Sequence, residues 1–210
     1  MTGRILSRAF YRRHAVDVAR DLLGKVLVHS GASGIIVETE AYLGVDDLYG
    51  KDLAAHAAAG ITDRTRVIFG PPGHAYVYLS YGIHECLNLV AEPEGKPGCV
   101  LIRALQPLTG LELMRLRRPA ARTDRDLASG PGKLTRALAI TRAHNGLDVT
   151  RGKLVVRQPV VRQPVEAQSF EIATTPRIGI TKCADLPLRF FVRGNMFVSQ
   201  NGGTWPGKSG

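Results

Sequence analysis

Residues 75–91, AYVYLSYGIHECLNLVA, decide the fold that we expect for this chain. Ala75 to Ser80 and Ile83 to Ala91 are rich in apolar and aromatic residues, which favour strands, and Tyr81-Gly82 between them favours a turn. Together these segments predict a β-hairpin. Its turn places Tyr81 at the tip, where a residue of the core is not expected.

Short strands and helices are predicted on both sides of this hairpin. The other predicted strands are Lys25–His29, Gly34–Tyr42, Cys99–Ala104, Lys153–Arg157, Arg177–Thr181 and Leu188–Val198. The predicted helices are His14–Leu23, Gly110–Arg118 and Leu134–Thr141. Helices and strands do not alternate strictly, so a doubly wound parallel sheet is not expected. We predict an α+β fold: a single mixed domain at residues 1–200 with a curved, largely antiparallel β-sheet, a protruding β-hairpin and surrounding helices. A flexible glycine-rich tail is expected at residues 201–210.

The chain is strongly basic, because its 210 residues include 28 Lys and Arg against 18 Asp and Glu, a formal net charge of +10. A hydrophobic fraction of 44% is ordinary for a globular protein and excludes a disordered tail protein. Positive charge favours an anionic partner, of which nucleic acid is the first candidate. Many proteins, however, are basic without binding one.

Several other classes of protein are not supported by the sequence. No stretch approaches the roughly 18 apolar residues of a membrane helix, and the arginine-rich N-terminus lacks the apolar run of a signal peptide. We therefore expect a cytoplasmic protein without a membrane partner. The three cysteines, Cys86, Cys99 and Cys183, form no Cys-x-x-Cys pair, so neither a structural metal nor a disulfide framework is predicted.

Two carboxylates in the predicted strand Gly34–Tyr42 are the first candidates for chemistry. Glu38 and Glu40 lie two residues apart among apolar neighbours, so they share one face of the strand. Two like charges on a half-buried face destabilise the fold unless they form ion pairs or hydrogen bonds, or take part in catalysis. Either nearby arginines satisfy them, or a partly desolvated Glu acts as the general base that takes a proton from water.

Residues in and after the hairpin are the next candidates. Alternation places Tyr76 and Tyr78 on one face of the first hairpin strand, and tyrosines are common in strand cores. Tyr81, at the tip of a basic protein, could instead wedge between base pairs and hold the gap left by an extruded nucleotide. Asn88, among apolar neighbours, is either a hydrogen-bonded core residue or a group that recognises a base edge. Arg103, at the end of an apolar strand, suits a buried carboxylate or a phosphate.

A basic segment lies between Gly110 and Arg142, where eight Lys and Arg stand against three acidic residues. A solvated charged face is the simplest interpretation. The alternative is a DNA-binding surface, to which Arg115 and Lys133 would contribute. Lys133 follows Ser129-Gly130-Pro131-Gly132 just before a predicted helix, so backbone N–H groups and the lysine could hold a phosphate.

Seven short blocks run in order through almost the whole chain and are specific in combination, although each alone is weak. They are Val37–Gly44, Ala54–His56, Phe69–Gly82, Cys86–Asn88, Val100–Leu105, Ser129–Leu134 and Pro187–Gly194. With these blocks the chain resembles the alkyladenine (3-methyladenine) DNA glycosylase family, also called methylpurine DNA glycosylases, and looks like a compact bacterial member.

The resemblance implies a monofunctional DNA glycosylase of base excision repair that needs no cofactor. Such an enzyme flips a damaged purine, such as 3-methyladenine, 7-methylguanine, hypoxanthine or ethenoadenine, out of double-stranded DNA. It hydrolyses the N-glycosidic bond and leaves an abasic site. We expect a monomer in the cytoplasm, associated with the nucleoid, whose binding to DNA weakens as salt rises.

Positions that match the family motifs carry roles implied by the resemblance. Glu40 would deprotonate the attacking water, and Arg103 would help to hold that water and the nucleotide. Tyr81 would be the intercalating wedge, and Asn88 would reject the 2-amino group of guanine. Aromatic walls are expected to bind a cationic, alkylated base better than a neutral one. The residues around the flipped base and its water would be Tyr42, His56, Tyr78 and, through its backbone carbonyl, Ile178.

Two other functions stay open on the sequence. A non-catalytic nucleic-acid-binding module, resembling the C-terminal domain of methionyl-tRNA formyltransferase, would explain the charge and the aromatic residues. It would not explain Glu40 beside Tyr42 with Arg103 downstream. A helix-hairpin-helix glycosylase is suggested by the glycine-rich turn from Ser129 to Leu134, but such enzymes are mostly helical.

Overall fold

The structure, a computed structural model, describes residues 3–44, 47–159 and 170–199. Within these ranges the strands form one eight-stranded sheet in which every pair is antiparallel, with short helices around it. This confirms the predicted α+β class. The expected tail at residues 201–210 lies outside the described residues. Among the helices that the structure describes, none combines the length and apolar character needed to cross a bilayer.

The strands and helices are short. In chain order the strands are β1 (Val26–His29), β2 (Ala32–Tyr42), β3 (Ala75–Ser80), β4 (His84–Val90), β5 (Cys99–Thr109), β6 (Val155–Arg157), β7 (Ile172–Thr175) and β8 (Arg189–Val192). The α-helices are α1 (Arg8–Tyr11), α2 (Ala15–Asp21), α3 (Leu111–Arg117), α4 (Asp124–Ala128) and α5 (Pro131–Ala137). Segments of 3-10 helix cover His56–Ala59, Arg66–Phe69 and Arg142–His144.

Strand β2 is the centre of the sheet. It pairs with β5 along one edge, while β1 pairs with the first half of its other edge and β8 with the second half. The β2–β5 register shifts between Ile36 and Thr39, where Glu38 lies opposite Ala104. Such a bulge bends a strand and redirects its side chains. Glu38 and Glu40 therefore lie at and just after an irregularity in the most central strand.

Helix α2 covers one face of β2. Its apolar residues follow helical spacing, so they form a single stripe, and all are buried: Ala15, Val18, Ala19 and, just after the helix, Leu22. The hydroxyl of Thr39 in β2 donates a hydrogen bond to the carbonyl of Ala19 (2.8 Å). Because side chains alternate along a strand, Glu38 and Glu40 lie on the face of the sheet away from α2.

The hairpin is confirmed, with β3 at the predicted residues and β4 at His84–Val90. Strand β5 is longer than the predicted Cys99–Ala104, because the apolar run continues into buried Leu105 and the pairing with β2 extends to Thr109.

The predicted strand Arg177–Thr181 is wrong. The strand in this region is β7, and the residues after it form a loop. The side chain of Arg177 is buried against Asp52 instead of extending along a sheet edge. Gly179 adopts a φ of +74°, which a continuous strand does not allow.

Two other boundaries also differ from the prediction. The strand predicted at Leu188–Val198 ends at Val192, because the chain turns at Gly194, whose φ is +75°. The helix predicted at Leu134–Thr141 starts at Pro131 and ends at Ala137. Proline is favoured in the first turn of a helix, since its missing N–H would lack a helical partner there in any case.

Candidate active site

A cavity of about 510 Å³ lies beside the hairpin. Its walls come from the end of β2, the β3–β4 hairpin, β5 and the loop after β7. Seven residues that the sequence analysis singled out line it: Tyr42, His56, Tyr78, Tyr81, Asn88, Arg103 and Ile178. These residues are distant in sequence, and the fold brings them together around one space.

Glu40 is completely buried, and three residues that line this cavity hold its carboxylate. Its Oε1 accepts a hydrogen bond from the backbone N–H of Ile178 (2.8 Å) and lies 3.2 Å from Nη1 of Arg103. Its Oε2 accepts a hydrogen bond from the hydroxyl of Tyr42 (3.0 Å). A carboxylate can accept about four hydrogen bonds. These three contacts therefore leave room for a further donor, such as a water molecule.

Glu38 has a different environment, although it is equally buried. Its Oε1 is 3.1 Å from Nε of Arg103, 2.7 Å from Nε of Arg189 and 2.9 Å from the hydroxyl of Ser199, and its Oε2 accepts from the N–H of Ser199 (2.7 Å). Three of these four contacts fall on Oε1, and two of the residues that make them, Arg189 and Ser199, lie outside the cavity lining. Glu38 thus holds Arg103 and the last described segment in place, whereas every residue that holds Glu40 lines the cavity.

Arg103 bridges the two carboxylates from the place where the β2–β5 register shifts. Burial opposes the charge of its guanidinium, but the carboxylates of Glu40 and Glu38 outweigh burial and raise its pKa. Arg103 therefore stays charged below the cavity. Of the two partners considered from the sequence, the buried carboxylate is the one that the structure shows.

Tyr42 connects Glu40 to a second buried ion pair. Burial, followed by the nearby charge of Glu40, raises the pKa of Tyr42 well above its usual value, so its hydroxyl stays protonated and donates to Glu40. The guanidinium carbon of Arg177 lies 4.6 Å from the centre of the Tyr42 ring. Arg177 forms two hydrogen bonds with the carboxylate of Asp52 (2.6 and 2.8 Å), and both side chains are fully buried.

The Asp52–Arg177 pair joins three segments of the site. Asp52 accepts hydrogen bonds from the N–H groups of Leu43 (3.0 Å) and Ala54 (3.1 Å), and Arg177 donates to the carbonyl of Ala41 (3.0 Å). The pair therefore fixes the end of β2 relative to the segments that carry His56 and Ile178. Sequence reasoning missed it, because no local pattern relates two residues that are 125 positions apart.

His56, Tyr76 and Tyr78 form an aromatic wall. The ring centres of His56 and Tyr78 are 4.6 Å apart and nearly perpendicular, while Tyr76 and Tyr78 stack at 5.5 Å. Nη2 of Arg64, which also lines the cavity, lies 3.3 Å from Nε2 of His56. Burial, and then the charge of Arg64, lowers the pKa of His56 to about 4, so its ring is neutral at pH 7. Arg64 lies in a polar loop that gave no signal in the sequence.

Asn88 is a hydrogen-bonded core residue, the first of the two interpretations considered from the sequence, and its side chain also borders the cavity. It is buried, and its Nδ2 donates to the carbonyl of Tyr76 (3.3 Å). Its amide is therefore held in a fixed position by the hairpin.

The tip of the hairpin is exposed and apolar. Tyr81 is 88% exposed and Ile83 is 73% exposed. Tyr81 also has a φ of +49°, a left-handed conformation that is uncommon for residues other than glycine. Gly82 also has a positive φ (+70°), and the N–H of Ile83 donates to the carbonyl of Ser80 (3.0 Å), so the conformation of Tyr81 is the one that a tight hairpin turn requires. The tip thus presents an aromatic ring to solvent at the edge of the cavity.

The two basic residues chosen from the sequence differ in position. Lys133 lies in the first turn of α5, next to Pro131, which lines the cavity. Arg115 on α3 is outside the cavity lining and forms ion pairs with Glu112 and with Asp124. Neither side chain lines the cavity, and the Nζ of Lys133 lies 4.0 Å from a carboxylate oxygen of Asp126.

A family model and several similar proteins all point to the same family. The model of the methylpurine-DNA glycosylase family matches residues 9–196. A relative from Methanoculleus marisnigri is 51% identical, over 93% of this chain and 98% of its own length. Relatives from Koribacter versatilis (50% identical, 92% of each chain) and Rhodopseudomonas palustris (48% identical, 94% of this chain and 89% of the relative) are similar. All three carry the name 3-methyladenine DNA glycosylase as a provisional assignment.

Proposed function

The chain belongs to the methylpurine-DNA glycosylase family, whose members hydrolyse N-glycosyl bonds, and on this premise we propose that it excises damaged purines from double-stranded DNA with a water molecule activated by Glu40. The observation that carries the proposal is the Glu40 carboxylate. It is fully buried, is held by three residues of an aromatic-lined cavity, and has an acceptor position left for water. A non-catalytic binding module would not need such a group.

The proposed reaction uses this carboxylate in two ways. As the bond between C1′ and the purine nitrogen breaks, its electron pair leaves with the base and the sugar becomes cation-like. The negative charge of Glu40 stabilises that sugar. Glu40 also takes a proton from the water whose oxygen bonds to C1′. Tyr42, Arg103 and the N–H of Ile178 hold the carboxylate in position for both tasks.

The remaining cavity residues are proposed to hold the flipped nucleotide. Tyr42 and Tyr78 would stack with the base, and the neutral ring of His56 would contact its edge. Asn88 would exclude the 2-amino group of guanine, and the carbonyl of Ile178 would help to hold the water. Arg115 and Lys133 are proposed to contact the DNA backbone. Since a single chain supplies all these residues, the enzyme would act as a monomer, and its substrate would bring it to the nucleoid.

Release of free base is the direct test of the proposed function. We expect the protein to release methylated purines from methylated duplex DNA, and hypoxanthine from a duplex that contains one such base. Alkali should then cut the strand at the abasic site, while the strand should stay intact without alkali, because the described residues that line the cavity include no lysine that could form a Schiff base. An undamaged duplex is the control. Binding of both DNAs without release of any base would identify a binding module instead.

Tyr81→Ala tests the wedge at the hairpin tip. Stacking of one aromatic ring on a base is worth about 1–3 kcal/mol, so the fraction of flipped nucleotide should fall about tenfold. The fluorescence of 2-aminopurine placed next to the lesion measures flipping on binding. Tyr49→Ala is the matched control, since Tyr49 is also exposed (45%) and lies outside the cavity lining. An unchanged fluorescence response of Tyr81→Ala would exclude the wedge.

A further inference from the structure

Two arginines lie against the aromatic walls of the cavity. The guanidinium carbon of Arg177 is 4.6 Å from the centre of the Tyr42 ring, and that of Arg64 is 5.1 Å from the centre of the Tyr78 ring. Both distances are within the range of a cation–π contact. An aromatic wall that already carries a guanidinium attracts a second cation less strongly, because like charges repel.

The two arginines differ in how their charge is balanced. Arg177 is paired with Asp52, which cancels its charge locally. Within residues 3–44, 47–159 and 170–199, no carboxylate lies within ion-pair distance of Arg64, which contacts the uncharged side chains of His56, Tyr76 and Tyr78. Its neighbour in sequence, Arg66, is paired with Asp63 (2.8 Å) outside the cavity. Arg64 thus brings to the cavity wall a positive charge that no carboxylate of the described residues neutralises.

The hydrogen bonds of Arg64 and His56 at the cavity wall favour one kind of purine. A guanidinium only donates, so Nε2 of His56 must accept from Arg64, and the ring proton is then on Nδ1, which faces the hydroxyl of Tyr76 (3.0 Å). With Nε2 already occupied, the groups left for a substrate are the other N–H donors of Arg64. Guanidinium N–H groups match O6 and N7 of a purine when both are acceptors.

We propose that Arg64 determines the specificity of the cavity, by favouring a neutral purine with two free acceptors over a cationic alkylated purine. This rests on the proposed function and names the substrate class of the same site. Hypoxanthine is neutral and presents O6 and N7 as acceptors. In 7-methylguanine the base is cationic and the methyl group blocks N7. The aromatic walls alone favour a cationic base, and Arg64 reverses that preference.

The test compares release of hypoxanthine and of 7-methylguanine in single turnovers, with enzyme in excess over DNA. For Arg64→Gln we expect hypoxanthine release to fall about tenfold, while release of 7-methylguanine becomes faster than in the wild type. The N-glycosidic bonds of hypoxanthine and 7-methylguanine differ in lability. This difference cancels, because each variant is compared with the wild type on the same two substrates. Arg66→Gln is the matched control and should leave both rates as they are.

Arg64→Lys separates charge from hydrogen-bond geometry. Lysine keeps the positive charge but lacks the planar fork, so this variant should release hypoxanthine more slowly than the wild type, while its release of 7-methylguanine stays at the wild-type rate. An equal loss on both substrates in Arg64→Gln, or no change on either, would overturn the proposal. Identical behaviour of the Gln and Lys variants would also overturn it. If the wild type releases neither base, the proposed function itself fails.

Discussion

Glu40→Gln should lower base release by about 10²–10⁴-fold, the usual contribution of a general base, while binding to damaged DNA stays within a few-fold of the wild type. The amide has the size of the carboxylate, and its oxygen can still accept from the N–H of Ile178. It carries no negative charge to stabilise the sugar, and it cannot take the proton from water. Chemistry should therefore be lost without loss of the cavity.

Single-turnover release of hypoxanthine measures this change, and electrophoretic mobility shift measures binding. Glu94→Gln is the control, because Glu94 is exposed and lies outside the cavity lining. A thermal unfolding curve like that of the wild type shows that the variant is folded. Release at the wild-type rate by Glu40→Gln would mean that another group activates the water.

Asp52→Asn should lower the free energy of unfolding by about 3–5 kcal/mol, the usual result of removing one partner of a buried ion pair. The substitution leaves the guanidinium of Arg177 buried without a counter-charge. The Nε of Arg177 is already buried without a hydrogen-bond partner, so this side chain has no spare contacts to compensate. Since a folded domain is stable by about 5–15 kcal/mol, the loss would be a large part of the total.

Urea unfolding at constant temperature measures this effect. Asp63→Asn is the control: Asp63 also pairs with an arginine, but its side chain is 99% exposed, so the change should be about 1 kcal/mol or less. Adding Arg177→Met to Asp52→Asn should recover part of the loss, because no unpaired charge then remains buried. A change for Asp52→Asn as small as that for Asp63→Asn would show that this pair does not hold the site together.

Local patterns predicted the parts of the site that lie within single strands. Alternation placed Tyr76 and Tyr78 on one face of the hairpin, and the spacing of Glu38 and Glu40 placed both on one face of β2. The turn between the two hairpin strands put Tyr81 at an exposed tip. For the residues within strands, the two-residue period of side chains was enough to determine which way each side chain points.

Features that depend on contacts between distant segments could not be predicted in the same way. The buried pairing of Arg177 with Asp52 replaced an expected strand with a loop, and only the tertiary fold shows that partner. Arg64 is one of many arginines in the sequence, and its contacts with His56 and Tyr78 give it a distinctive position. The difference between Glu38 and Glu40 likewise depends on which donors the fold supplies to each carboxylate.

The pairing of β8 with β2 and the contacts of Ser199 with Glu38 have a consequence for the order of folding. Two partners of Glu38 in the central strand, Arg189 and Ser199, are synthesised 151 and 161 residues after it. Contacts so far apart in sequence slow folding, because a long loop must close before they form. A growing chain on the ribosome would therefore remain inactive until Arg189 and Ser199 have emerged. A premature stop before residue 189 would remove the support beneath Arg103, although every residue with a proposed role would still be present.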